Sequence, residues 1–474
     1  MSGDGAAPLL GGSRAKTSSF QEAAGLFAIN VNYIFGAGVL GLPYAVAHGG
    51  VLSSSVLLVF CSAVCLVSML WVLEAHHRAV SVKGGGAQVV EFAEMCRLFL
   101  GVRAQQLYNV SLTIYAICSC WMYASIFSLS MAKSLPVWSN ASQCDISSHT
   151  GPLWQLEPRA CWGDYLLYEA VFAVVMSFVV RMDIGAMKGM QMSLTAFGLT
   201  AMLTMCVTVW VAIPGDHLAH LDSDTAWFNP SGFGGVFGTF VFAQMCHQGV
   251  PLLQSVPSRK SLVKPVFVGT LCFTTVLYLV FGVSCALFFG LEPRDNPEPL
   301  KKLITLNWVE YTAGADKAGV LATIVSYFVR LYPAITVSAA FPLYVITLAN
   351  GWFQAWHGSG SGSAAVGDAG ADAHVEAAAA PPQDKTLFNL LAMCPPVLFA
   401  AFMADLSFML FFVGLTGILI AFLLPPMLQL ASIKAVPSMA VTVDSGHFSR
   451  PVYCYFCLGW AVVTLVITLV NQFK

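Results

Sequence analysis

The chain is poor in charge. Asp, Glu, Lys and Arg make up 10% of its 474 residues, against about a quarter in soluble globular domains. So few charges cannot cover a water-facing surface, which excludes a cytosolic enzyme and a disordered chain. An excess of one sign is missing too. The 22 basic and 24 acidic residues leave a net charge of −2, which gives no reason to expect a nucleic acid partner. Cysteine is too sparse for a disulfide scaffold. Most of the 14 lie in apolar runs, as do Cys61, Cys65, Cys118, Cys120, Cys206 and Cys272, and read as packed small hydrophobes. Cys454 and Cys457 have CxxC spacing without His or acidic neighbours, so they read as packing as well. His76-His77 has no acidic or Cys partners at metal spacing. A phosphate loop and a nucleophile motif are absent, so neither an enzyme nor a metal or organic cofactor is expected. A cleavable signal peptide is not expected either: the first 17 residues are polar, and the first apolar run is too long for one.

What the chain has is length of apolar run. Hydrophobic residues make up 57% of it. A bilayer-spanning helix needs about 20 of them in a row. Eleven such stretches are expected at 20–47, 52–74, 106–135, 164–181, 190–213, 231–253, 265–290, 317–348, 386–404, 406–432 and 451–470. The fold class is therefore an all-α polytopic membrane protein, in contact with the lipid bilayer. A porin-type barrel would show weak alternation instead. The eighth stretch is long enough to be broken or strongly tilted. With the N-terminus inside, 14 Lys and Arg fall in cytoplasmic segments and seven outside. That bias favours a cytoplasmic N-terminus and, with an odd span count, an extracellular or lumenal C-terminus. The loop at 136–163 then lies outside. It carries the sequon Asn140-Ala141-Ser142, a glycosylation candidate, and Cys144 and Cys161, a candidate disulfide in an oxidising compartment. Plasma membrane and vacuolar or lysosomal membrane both fit.

Residues 1–17 read as a cytoplasmic tail and 18–470 as one transmembrane domain. Within that domain the Gly-, Ser-, Ala- and Pro-rich 358–382 reads as a cytoplasmic linker. Residues 84–103 place Val89, Phe92, Ala93, Cys96, Phe99 and Leu100 at helical spacing opposite Glu91, Glu94 and Arg97, a short helix expected on the inner membrane face.

Two spans contain helix breakers. The first holds Asn32, Gly36, Ala37, Gly38, Val39, Gly41 and Pro43; the sixth holds Cys246, His247, Gln248, Gly249 and Pro251. Glycine costs about 1 kcal/mol in a helix relative to alanine, and proline about 3. One Gly-x-Gly alone would read as close helix packing. Breaks that open the first and second groups of five spans point instead to an inverted-repeat transporter. An unwound helix exposes amides at one half-helix and carbonyls at the other. The amides suit a carboxylate, the carbonyls an ammonium or a cation, and an amino acid carries both groups.

At these residues the sequence resembles the amino acid/auxin permease (AAAP) family. The motif runs Asn32-x-x-x-Gly36-Ala37-Gly38-Val39-Leu40-Gly41-Leu42-Pro43-Tyr44-Ala45, then Gly49-Gly50. The Cys246-His247 region and the Tyr332-Pro333 and Phe341-Pro342 pairs extend it more weakly. The resemblance implies a five-plus-five inverted repeat with broken helices one and six and an appended eleventh helix. It implies a substrate held near the midplane by the backbone of Gly36, Ala37 and Gly38, with Val39, Cys246 and His247 beside it. It also implies an ion-coupling role for Asn32 and Ser326 in sodium-coupled relatives. In proton-coupled relatives His247 could titrate. Na⁺ or H⁺ is thus the expected coupling ion.

Other residues have two readings each. His247 is either a neutral imidazole bonded to a freed carbonyl or a proton relay and substrate contact. Tyr115, Ser119 and Tyr123 share one face of span three and either pack or line a pocket. Arg330 is an intramembrane charge, functional by default, or the cap of a helix break near Pro333. Glu169 is expected near the outer surface, within reach of water. Glu74 and Arg78 are expected as a helical i,i+4 pair at the membrane surface. The pocket candidates include no acid, so symport of a neutral amino acid by alternating access is the functional expectation. The alternative is an amino acid-sensing receptor with a transporter fold and little transport.

Overall fold

The computed structural model describes residues 19–84, 90–139, 151–182, 184–212, 227–229, 232–255, 259–290, 300–301, 303–309, 311–312, 319–358 and 382–472. Among the described residues the chain is helical, with no strand. The helices are α1 (Ser19–Ile34), α2 (Gly38–Gly49), α3 (Val51–Val82), α4 (Phe92–Leu100), α5 (Val102–Ser134), α6 (Arg159–Val179), α7 (Ile184–Ala212), α8 (Phe233–Gln244), α9 (Val250–Ser255), α10 (Val263–Phe289), α11 (Val320–Gly358), α12 (Pro382–Phe402), α13 (Leu406–Ile418), α14 (Leu424–Ala435) and α15 (Pro451–Gln472). Among the described residues nine rods are long and apolar enough to cross a membrane; α13 and α14 make one of them. The bent pair α1–α2 makes a tenth. The expected span at 231–253 is resolved as two pieces, α8 and α9, each too short to cross alone.

Every break has a local cause. Gly36 and Gly38 flank the 55° bend between α1 and α2. Gly249 and Pro251 stand where α8 gives way to extended Met245, Cys246 and a single 3₁₀ turn, His247–Gly249. A π turn, Leu419–Leu423, joins α13 to α14 just before Pro425-Pro426, where two missing N–H groups disturb the helical ladder. In contrast, α11 stays one continuous helix through Pro333 and Pro342. The eighth span is therefore not broken. Its 39 residues rise about 58 Å, and overhang beyond an apolar layer of about 30 Å explains its length.

The chain alternates direction, and contacts between distant segments define two ends. At the near end, where α1 begins, Arg78 of α3 reaches Met439 and Ala440, and Lys264 of α10 reaches Asp444. At the far end Asn229 bonds to Gly49 and Trp308 to Thr208 of α7. Helices α11 and α5 form the centre, with 83% and 72% of their most apolar stretches buried, against 22% for α12 at the periphery. The exposed Val174 and Phe178 of α6 and Tyr455 and Phe456 of α15 face outward, where lipid would cover them. Helix α4 forms as expected, but its apolar face packs on protein rather than on lipid: Phe92 stacks on Tyr108 of α5 at 4.5 Å, and α14 covers the rest.

Candidate functional site at the helix breaks

The end of α1 and the start of α2 expose backbone groups with no partner in their own helix. Tyrosines fill part of that need. Tyr344 of α11 donates to the Tyr33 carbonyl and Tyr278 of α10 to the Ile34 carbonyl, both at 3.2 Å. The carbonyl side of the break is thus capped by phenol hydroxyls. The amide side, Ala37, Gly38 and Val39, begins α2 with the positive end of its dipole. Gly38 lies against α8: a Cβ there would be 2.8 Å from the Ala243 Cα. At Gly36 a Cβ would strike the Tyr123 hydroxyl. The two glycines are therefore required for different reasons, one against backbone and one against a side-chain tip.

The second break faces α3. Cys246 Sγ lies 3.5 Å from Met69 Sδ, and His247 Nε2 lies 2.8 Å from Ser68 Oγ. The Ser68 hydroxyl donates to the Cys65 carbonyl at 3.1 Å, so the ring donates from Nε2 and leaves Nδ1 as an acceptor. That Nδ1 has no partner. The buried Gln248 side chain reaches the Tyr344 hydroxyl and has no other partner among the described residues. Buried polar atoms are nearly always paired, so the second break holds unsatisfied hydrogen-bonding capacity at the centre of the bundle.

An aromatic cluster joins the two breaks. Tyr115 stacks on Tyr344, with hydroxyls 3.2 Å apart. Tyr123 meets the same ring edge-on, and Phe242 of α8 packs beside both Tyr115 and Tyr123. Tyr33 reaches Thr347 Oγ1 at 2.9 Å, and a Cβ on Gly249 would touch its ring at 3.0 Å. Beyond this cluster a cavity of about 360 Å³ runs from Ala37 toward the far end, between α2, α5, α8 and α13. Leu40, Tyr44, Met122, Ile126 and Phe411 give it an apolar wall, and His48 is its one basic or acidic lining residue. Of the residues expected to bind substrate, Ala37 lines this cavity. Gly36, Gly38, Val39, Tyr115, Cys246 and His247 are buried behind it.

The residues expected to couple an ion are not brought together. Asn32 donates its amide to the Gln191 carbonyl at 3.0 Å and also meets its side chain, and Gln191 donates to the Ala339 carbonyl at 3.1 Å. Asn32 thus ties α1 to α7 and α11. Ser326 donates to the Trp308 carbonyl at 2.6 Å, about 20 Å of helix rise from Ala339. Arg330 sits toward the far end. It donates to the Lys133 carbonyl in the last turn of α5 and lies 5.1 Å over the Tyr327 ring, a favourable place for a cation. Cys161 is buried in the first turn of α6. Asn140, Cys144, the tail at 1–17 and most of the linker at 358–382 lie outside the described residues.

Three acidic or basic residues expected near water are buried. Glu74 and Arg78 are 1% and 0% exposed, not at the surface. The Arg78 guanidinium donates to Glu74, Gln429, Ser432 and the carbonyls of Met439 and Ala440. Glu74 also accepts from Gln429, Ser445 and Ser449. The segment after α14 folds back over the pair and seals it. Glu169 is 3% exposed, closed in by α5, and accepts from Ser128 Oγ at 2.6 Å. Beside the first cluster, His77 Nδ1 pairs with Asp444 at 2.9 Å. No group of metal-ligating side chains occurs among the described residues.

A family model described as transmembrane amino acid transporter protein matches residues 21–470. The chain belongs to that family. Its match runs through the membrane-spanning rods described above, so the bundle is that of a transmembrane amino acid transporter family. Among curated proteins, the chain is similar to transmembrane protein 104 of Homo sapiens, 24% identical over 81% of this chain and 82% of that protein. It is similar to the transmembrane protein 104 homolog of Caenorhabditis elegans, 23% identical over 96% and 97%, and to that of Drosophila melanogaster, 22% over 98% and 100%.

Sequence reading missed several residues at the breaks. Tyr344 lies in span eight with nothing local to mark it, and its role comes from the carbonyl it caps. Tyr33 follows Asn32 and could have been singled out as a phenol beside a break. Gln191 and Ser68 are ordinary polar residues in spans. Their partners are 159 and 179 residues away, beyond any local pattern.

Proposed function

We propose that this member of the transporter family moves amino acids across a membrane by alternating access, as a secondary active transporter coupled to H⁺ or Na⁺. The observation that carries the reading is that two broken helices cross at Gly38 and Ala243, beside a cavity that reaches one end of the bundle. The α2 amides suit a substrate carboxylate, and the unpaired Nδ1 of His247 is suited to its ammonium group. A cavity wall with few charges favours a neutral amino acid. We read α1–α2 and α8–α9 as opening two inverted five-span repeats, with α15 as the appended helix. The separation of Asn32 from Ser326 favours H⁺ over Na⁺. We read the near end as cytoplasmic, with Asn140 glycosylated and Cys144 bonded to Cys161 on the opposite side.

Reconstitution in liposomes tests this reading, with radiolabelled amino acids and with Na⁺ and pH gradients imposed separately. Uptake that follows one gradient supports a transporter and identifies its ion. Amino acid binding without uptake would move the protein to the sensing alternative. Neither binding nor uptake would overturn the amino acid substrate. The break has its own test. Gly36→Ala should block uptake, and Tyr123→Phe should restore part of it by removing the hydroxyl in the way. Unchanged uptake in Gly36→Ala would remove the first break from the site.

A further inference from the structure

Glu169 stands out among the buried polar groups. It lies midway along α6, in a helix that reads as a membrane span. Among the described residues its Oε2 accepts one hydrogen bond, from Ser128 at 2.6 Å, and its Oε1 has no partner. Among the described residues no cation lies within ion-pair distance of it.

Among the described residues, no titratable group on the elements around it hydrogen-bonds to this carboxyl, and Tyr165, one turn before it, lies close enough to feel its charge. On α6 itself, Tyr165 donates to the Ala400 carbonyl and Tyr168 to the Leu135 carbonyl. Asp164 accepts from the amides of Val137, Trp138 and Ser139. Arg159 and Cys161 belong to the first turn of α6, at the far end. On α5, Tyr123 packs against Tyr344, Cys118 and Cys120 lie more than two turns from Ser128, and the Lys133 carbonyl holds Arg330 of α11. Also on α11, Tyr327 lies under Arg330, and Tyr332 and Tyr344 are buried elsewhere in the core. On α12, Lys385 and Cys394 are exposed.

An ionised carboxylate in such a place is not tenable. Its transfer from water into a low-dielectric interior is strongly unfavourable even after relaxation, and one hydroxyl cannot offset that. We infer that Glu169 is a proton-binding site, loaded with a proton in this arrangement and able to release it only in another. One O–H bond forms at the carboxylate with a proton taken from water, and the same bond breaks when the proton returns to water. No other bond changes, and the side chain alternates between neutral and −1. Any rearrangement of α6 against α5 that admits water or a cation stabilises the charged form. A proton affinity that differs between two conformations is the thermodynamic requirement for coupling a pH gradient to a conformational change. The coupling rests on the transporter reading above; the protonation does not.

Two measurements separate these parts. Infrared spectroscopy of the reconstituted protein at neutral pH should show a protonated-carboxyl C=O band that is absent from Glu169→Gln. If Glu169→Gln does not fold, Ser128→Ala serves in its place. It keeps the carboxyl, removes its one hydrogen bond, and should move the band to higher frequency. A spectrum unchanged by the substitution would overturn the proton site. In liposomes, wild-type uptake should follow an inward pH gradient. In Glu169→Gln that dependence should be lost, while exchange between saturating amino acid on both sides persists. Uptake by Glu169→Gln that still follows the pH gradient, or wild-type uptake that follows Na⁺ alone, would overturn the coupling. No wild-type uptake under any gradient would overturn the transporter reading and leave the infrared result to decide the proton site.

Discussion

Glu74 and Glu169 are both buried inside the bundle, and their surroundings are opposite. Glu74 accepts from Arg78, Gln429, Ser445 and Ser449; Glu169 accepts from Ser128 alone. A fully bonded buried ion pair ties elements together: here α3, α14 and the segment that folds over them. A carboxyl with one neutral partner ties little and gains from changing its protonation state. The same residue type therefore serves structure at the near end and, by our inference, proton binding along α6. The number of partners decides which, and burial does not.

The strongest way to break this contrast is to remove half of the near-end pair. Arg78→Met leaves a buried carboxylate without its cation, and Glu74→Gln leaves the guanidinium without its anion. Each should cost about 3–5 kcal/mol, with part recovered in the double variant. Thermal unfolding in detergent measures it, and a loss below about 1 kcal/mol for both would show the network to be unimportant. Glu169→Gln sharpens the comparison from the other side. The amide matches the neutral carboxyl in shape, so stability should change by less than about 1 kcal/mol. A loss as large as that of Glu74→Gln would mean that Glu169 is charged and paired.

Two further substitutions extend the argument. Ser68→Ala removes the hydroxyl beside His247 Nε2 but leaves the ring its bond to the Cys65 carbonyl, so it should cost about 0.5–1.5 kcal/mol. An unchanged melting temperature would count against that bond. A pH-dependent effect is expected at Glu91, half-buried ahead of α4. Burial first, and then neighbouring Glu94, push its carboxyl up from 4.5 to about 7. The folded state then holds this proton more tightly than the unfolded one, so stability falls as pH rises from 4.5 to about 7. Glu91→Gln should flatten part of that fall, and identical pH profiles for the two proteins would dismiss the effect.

Much of the bundle was legible because it follows from short-range chemistry. Apolar run length marked the ten rods, and Gly36, Gly38, Gly249 and Pro251 marked the two breaks. Loss of helix at those positions depends on the backbone alone. The proline rule overreached in α11, where Pro333 and Pro342 leave the helix continuous. The site was legible only in outline. Ala37 lines the cavity. Asn32 and Ser326 do not meet, because an amide that finds Gln191 and a hydroxyl that finds Trp308 are committed by partners far away in sequence. The surface readings of Glu74, Arg78 and Glu169 failed in the same way. Position along a span gives depth, but not which neighbours close over a side chain.

By itself, then, the sequence determined that this protein is a helical membrane bundle with two interrupted helices. Hydrophobic run length and the conformational limits of glycine and proline act within a few residues of each other. Only the tertiary structure decided which polar groups are satisfied. Tyr344 on the carbonyl of Tyr33, Gln429 on Glu74, and almost nothing on Glu169 are contacts between segments that the chain brings together only when it is folded. The energy of a buried polar group depends on those partners.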